Sequence, residues 1–175
     1  MRDDTPLGGR ILKVNHAGEN GAVHIYAGQI ITARLTAPAL VAELREFKSH
    51  EERHRAIFAV ELQRRGVRRC RSYLLCGMGG FLLGLITGLF GRSAIAATTV
   101  AVERVVLGHL QHQLHALAGR DDAAVAAIGL IVQEEQAHHD QSAAHLAAAG
   151  RLWPQLLTPI VAASTESVIW LGMRF

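Results

Sequence analysis

Apolar positions recur at three- and four-residue intervals along most of the chain, and the stop signals between the runs divide it into helices. The first predicted helix runs from about Gly9 to Ala33. The second opens at Pro38, whose missing N–H has no helical partner in a first turn anyway, and ends at Gly66 after Arg64 and Arg65. A third starts near Ser93, its expected N-cap, and ends at Gly119. A fourth spans Asp121 to Gly150. Between the second and third lies an uncharged, glycine-rich stretch from about Ser72 to Gly91, and the tail from Leu156 to Leu171 reads as a fifth, amphipathic helix.

Composition narrows this to one domain. A chain of 175 residues that is 50% hydrophobic with only 4 prolines buries a core without staples and is neither disordered nor linker-rich. Cys70 and Cys76 lack disulfide-framework or zinc spacing and read as plain thiols of a reducing compartment. The formal charge of +3 is local, because Arg64, Arg65, Arg68, Arg69 and Arg71 crowd into eight residues. With Tyr73 alone as an interleaved aromatic, a nucleic-acid groove is not expected. Next to the uncharged run, the arginines point to an anionic membrane surface, with a solvated helix end as the bland alternative.

The two halves of the chain repeat. Glu19 and Glu103 are 84 residues apart, as are Glu51 and Glu135, His54 and His138, and Gly66 and Gly150. In each half a Glu is followed 32 residues later by Glu-x-x-His on the next helix. Residues i and i+3 share a helix face, so each Glu-x-x-His forms a chelating edge. Two such helices facing two that each donate one Glu make a dinuclear site in a four-helix bundle, and four carboxylates with two imidazoles suit two iron or manganese ions. Glu103 lies in Thr98-Thr99-Val100-Ala101-Val102-Glu103-Arg104-Val105-Val106-Leu107, where a lone carboxylate needs a partner. A rim ion pair with Arg104 or Arg92 is its bland alternative. His112 and His115 fall off the Glu103 face, His139 points about 100° from His138, and His16 and His109 are intermediate. Tyr26, seven residues after Glu19, returns to nearly the same face.

The segment Arg10-Ile11-Leu12-Lys13-Val14-Asn15-His16-Ala17-Gly18-Glu19-Asn20-Gly21-Ala22, followed by Ile25-Tyr26-Ala27-Gly28-Gln29, closely resembles the first motif of the demethoxyubiquinone hydroxylases, di-iron monooxygenases of ubiquinone biosynthesis. Ala101-Val102-Glu103 and Glu134-Glu135-x-x-His138-His139-Asp140 resemble later motifs, and the similarity runs from about residue 10 to the C-terminus. The resemblance implies an all-α, ferritin-like four-helix bundle in one domain, residues 1–175. Its two repeated helix pairs would span about 10–66 and 93–150, joined by an apolar segment at 72–91 and followed by a C-terminal amphipathic helix. It implies that Glu19, Glu51, His54, Glu103, Glu135 and His138 hold two iron ions, with Glu51 and Glu135 bridging and Tyr26 contacting substrate. The implied reaction hydroxylates the ring of a polyprenyl demethoxyubiquinol with O2, the electrons coming from NADH or from the quinol itself. Three positions depart from the family pattern: Asn15 replaces an Asp, Asn20 an aromatic and Leu110 a Tyr.

Twenty uncharged residues between Arg71 and Arg92 match the length of a membrane span. A single span would strand the two ligand triplets on opposite sides, so the expectation is a hairpin or helix lying in the interface, together with the tail around Ile169-Trp170-Leu171. No signal peptide is visible, which suggests a peripheral seat on the cytoplasmic face of a bacterial cell membrane. A ferroxidase or peroxide scavenger, and a non-enzymatic quinone-binding membrane protein, are the alternatives. Self-association, or a complex with other ubiquinone-biosynthesis proteins, is left open.

Overall fold

A computed structural model describes residues 6–147 and 152–174. They form seven α-helices and one 3-10 turn: α1 (Leu7–Thr36), the turn Pro38–Leu40, α2 (Val41–Arg64), α3 (Tyr73–Leu89), α4 (Arg92–Leu117), α5 (Asp122–Gly129), α6 (Val132–Ala147) and α7 (Leu152–Arg174). The fold is an all-α, ferritin-like bundle. Its ends follow local chemistry. Ala37, driven out of helical space by the following proline, has φ −152° and closes α1. Gly66, at φ +62°, ends α2 while the Val67 amide reaches back to the Leu62 carbonyl at 2.9 Å and the Gly66 amide to Gln63 at 3.1 Å. Asp121 caps α5 by accepting from the Ala124 amide at 3.1 Å.

Several expected boundaries move. Pro38 opens the 3-10 turn rather than α2 itself. Gly91, not Ser93, precedes the first residue of α4, and its φ of +80° is one that glycine adopts without strain. The fourth helix is interrupted at Leu130–Ile131, where the Ile131 amide bonds to Ile128, three residues back, instead of four. The expected stop at Gly150 lies outside the described residues. The tail helix begins at Leu152, ahead of the expected Leu156.

The apolar stretch is one helix, α3, laid along α1. A Cβ on Gly28 would lie 2.5 Å from the Phe81 carbonyl oxygen, and one on Gly80 or Gly84 would run into the backbone of Gly21 or Ile25. This close approach turns the glycines inward and leaves Leu75, Met78, Leu82, Ile86 and Leu89 exposed on the outer face. α4 packs on α6 and α7, and α1 on α2. Two apolar layers result. One gathers Leu12, Phe58, Leu110, Leu117 and Ile128; the other Tyr26, Ile30, Leu44, Phe47 and Ile95. Along α1, α2 and α4, the acidic residues fall between the two.

Candidate metal centre

Glu19 on α1, Glu51 and His54 on α2, Glu103 on α4, and Glu135 and His138 on α6 project into the gap between these layers, and none is more than 6% exposed. The structure brings all six together. Donor atoms of Glu19, Glu51, His54 and Glu135 lie within 4.8 Å of one another, and so do those of Glu51, Glu103, Glu135 and His138. Glu51 and Glu135 belong to both sets. Each gives one oxygen to each side: Glu51 Oε2 is 3.6 Å from His54 Nδ1 and its Oε1 3.2 Å from His138 Nδ1, while Glu135 Oε1 is 3.0 Å from His54 Nδ1 and its Oε2 3.7 Å from His138 Nδ1. Glu103 forms no rim pair; Arg104 is exposed and Arg92 turns to His145 at 3.3 Å.

Burial, reinforced by neighbouring carboxylates, raises the Glu19 and Glu103 carboxyls well above the usual range. Burial would also raise Glu135, but His138 and His54 overcome it and hold that carboxyl low. Burial opposes charge on the two imidazoles too, yet Glu135 and Glu51 outweigh it and push His54 up to about 10 and His138 up to about 9. Protons thus fill in for cations. The donor set fits metal: His54 Nδ1, His138 Nδ1 and Glu51 Oε1 are buried with no hydrogen bond, and each residue belongs to one or both of the four-donor sets that a cation would complete.

Outside this ring stand two residues that spacing did not single out. His54 Nε2 meets Glu134 Oε2 at 2.8 Å, and Arg53 holds Glu134 with contacts of 3.0 and 3.2 Å. His138 Nε2 meets His50 Nδ1 at 2.9 Å. The 84-residue offset aligns the two, one position before each Glu-x-x-His, but sets a His against a Glu and so gives no match to single them out.

Tyr26 donates to Glu103 Oε1 at 3.3 Å. Burial and the nearby carboxylates raise its phenol, which stays a donor. The other histidines are not among the six donors, although His109 borders the cavity that leads to them. His16 stacks on Tyr73 at 4.8 Å and is lowered to about 4 by burial, Arg55 and Arg69. His109 pairs with Glu166 at 2.8 Å, His139 turns to Asp140 at 3.0 Å, and His112 and His115 are exposed.

A cavity of about 510 Å³ reaches the centre, with Glu19, Glu51, Glu103 and Glu135 in its wall and otherwise mostly apolar residues, among them Ile25, Leu83, Val106 and Leu110. Its outer part lies between α3 (Leu75, Leu82, Ile86) and α7 (Val168, Ile169, Leu171). Tyr26 is not in that wall; with Ala22, Val102 and Glu103 it borders a separate small crevice.

A family model described as ubiquinone biosynthesis protein COQ7 matches residues 7–172. The chain belongs to the COQ7 family. It is 33% identical over 168 residues to the NADPH-dependent 3-demethoxyubiquinone 3-hydroxylase, mitochondrial, of Dictyostelium discoideum, covering 94% of this chain and 76% of that protein. It is 34% identical over 166 residues to the 3-demethoxyubiquinol 3-hydroxylase of Rhodospirillum rubrum, covering 94% of this chain and 77% of that one. A mouse enzyme with the same name as the Dictyostelium protein is 32% identical over 170 residues, covering 95% and 77%.

The three departures from the COQ7 pattern have structural roles. Asn15 and Gln113 exchange a reciprocal pair of hydrogen bonds at 2.8 and 3.0 Å, tying α1 to α4. Asn20 donates to the Tyr73 carbonyl at 2.9 Å and accepts from Arg55 at 2.8 Å, joining α1 to α3 and α2. Leu110, the counterpart of Tyr26, adds an apolar wall to the cavity.

Proposed function

We propose that this chain is an O2-dependent di-iron monooxygenase that hydroxylates the ring of a polyprenyl demethoxyubiquinol in ubiquinone biosynthesis. The observation that carries the reading is the pair of four-donor sets sharing Glu51 and Glu135 at the inner end of an apolar cavity. Membership of the COQ7 family supports the substrate class. Glu19, Glu51, His54 and Glu135 would hold one ion, and Glu103, Glu51, Glu135 and His138 the other. When bound, the two iron ions supply the reduction of O2, one oxygen atom entering the ring and the other leaving as water with two electrons from NADH or the quinol.

The chain's own residues do the rest. The apolar layers above and below the centre exclude water. The cavity takes the ring toward the carboxylates and leaves the prenyl tail in its outer part, a volume that Fe(II) oxidation or peroxide removal does not need. Tyr26 holds Glu103 through its hydroxyl. Tyr26→Phe is expected to keep two metal ions per chain and lower turnover about tenfold, as metal analysis and quinol conversion on one sample would check.

We read residues 1–175 as a single di-iron domain seated peripherally on the cytoplasmic face of a bacterial cell membrane. The exposed apolar faces of α3 and α7 flank the cavity mouth, so a lipid-dissolved substrate enters without crossing water. The basic run contributes unequally. Arg65 is bound to Asp121 at 2.6 and 2.8 Å and Arg64 to Glu61 at 2.7 Å, which leaves Arg68, Arg69 and Arg71 exposed. Changing those three to Gln is expected to weaken binding to anionic vesicles about 100-fold, at about 1 kcal/mol per charge, and to spare binding to neutral ones. Equal loss on both vesicle types would count against the lipid role.

The deciding experiment measures iron content and O2-dependent conversion of a demethoxyquinol on the same purified protein. Two irons per chain with hydroxylated product supports the reading. Fe(II) or peroxide turnover without quinol conversion points to the ferroxidase or scavenger, and protein that binds no metal removes all three oxidative readings.

A further inference from the structure

An imidazole that ligates through Nδ1 must carry its proton on Nε2, and that N–H needs an acceptor to fix the ring. The two histidines of the centre meet this need differently. His54 faces the Glu134 carboxylate at 2.8 Å, itself clamped by Arg53. His138 faces another imidazole, His50, at 2.9 Å. The two rings have centroids 5.1 Å apart and planes only 16° apart, so they meet edge to edge in nearly one plane. That geometry aims the His50 Nδ1 lone pair along the His138 Nε2–H bond. The reverse proton placement would put hydrogen on His138 Nδ1, which lies 3.2 Å from Glu51 Oε1 and makes no hydrogen bond. It would leave that ring no lone pair for a cation.

His50 and Glu134 occupy the same place in the two halves, each immediately before its Glu-x-x-His and each serving the histidine of the opposite half. One is a carboxylate and the other an imidazole, whose Nδ1 lies 3.9 Å from Glu134 Oε2, beyond hydrogen-bond reach, and meets His138 instead. A carboxylate partner raises the donor strength of a ligating imidazole more than a neutral acceptor does. We propose that His50 is the positioning residue for His138, and that its mismatch with Glu134 makes the two metal positions unequal, the one completed by His138 being the weaker. The proposal rests on the two-metal reading above.

Metal-free full-length protein titrated with Co(II) against a chromophoric chelator tests it, the ligand-field bands reporting each position. Wild type is expected to bind two equivalents, the second at least tenfold weaker. His50→Ala should weaken that second equivalent by a further 10- to 100-fold and leave the first within about threefold. His50→Gln, which keeps a neutral acceptor, should restore wild-type affinity and bands. Two equal wild-type equivalents, or His50→Ala retaining both affinities, would overturn the proposal while leaving the two-metal site standing. Fewer than two equivalents in wild type would overturn the two-metal reading itself. Zinc-loaded wild type with 15N-labelled histidine gives a measurement independent of variant folding: His138 is expected as the Nε2–H tautomer with a hydrogen-bonded, slowly exchanging proton. An Nδ1–H tautomer contradicts the assignment.

Discussion

Glu135→Ala is expected to strip both metal ions from the chain and bring hydroxylation to background. A terminal ligand such as Glu19 serves one ion, and its loss leaves the other with its full donor set. Glu135 gives Oε1 to the His54 side and Oε2 to the His138 side, so its removal takes a donor from each. His138 and His54 also hold this carboxyl low against the effect of burial. Without it the two positions keep Glu51 as their one shared donor, and divalent affinity falls at both. Glu51→Ala should behave the same way. Metal analysis after gel filtration, with helix content from circular dichroism to show that the bundle survives, checks the prediction. Two irons per chain in the Glu135 variant would contradict the shared-ligand geometry. Glu19→Ala is the contrast: it should retain close to one ion.

The six acidic and imidazole residues were legible in the sequence because their signal is local and repeated. Helical periodicity alone puts Glu51 beside His54 and Glu135 beside His138, and the 84-residue offset pairs the halves. Features set by contacts between helices were not legible. The arginine run reads as one basic patch, but Arg65 lies against Asp121, 56 residues away, and is half-buried as a brace for the start of α5. The Leu130–Ile131 interruption directly follows Gly129, the weakest helix former in that stretch, a mark that the expected single helix from Asp121 to Gly150 passes over. The face that Tyr26 shares with Glu19 places its hydroxyl to donate a hydrogen bond near the metals, but which carboxylate accepts it is set across the bundle: it is Glu103. His50 and Glu134 look like ordinary surface residues until α2 and α6 face each other. For α3, the Gly80, Gly84, Gly88 series did announce close packing, and only the choice of α1 as its bed required the three-dimensional arrangement.

Removing metal should reverse the way stability depends on pH. In the metal-free protein, Glu19 and Glu103 bind their protons more tightly folded than unfolded, so their contribution is complete below about 4.5 and is lost as pH rises through their raised values. His54 and His138 act in the same direction. Their contribution is complete below 6.5 and disappears as pH climbs to about 10 and about 9 respectively. Glu135, held low, works the other way, stabilising above 4.5 and failing as pH falls below it. The metal-free bundle is therefore most stable in mildly acidic solution and loses on the order of several kcal/mol between pH 6 and pH 9. That is a fall of roughly 10 °C in Tm for a chain of this size. Bound cations take the place of the protons, so stabilisation by metal grows over the same interval. Thermal melts of metal-free and Co(II)-loaded protein at pH 6 and pH 9 should show the gap between them widening with pH. A metal-free Tm that stays level or rises across that range would mean the six side chains do not share one buried, mutually charged space.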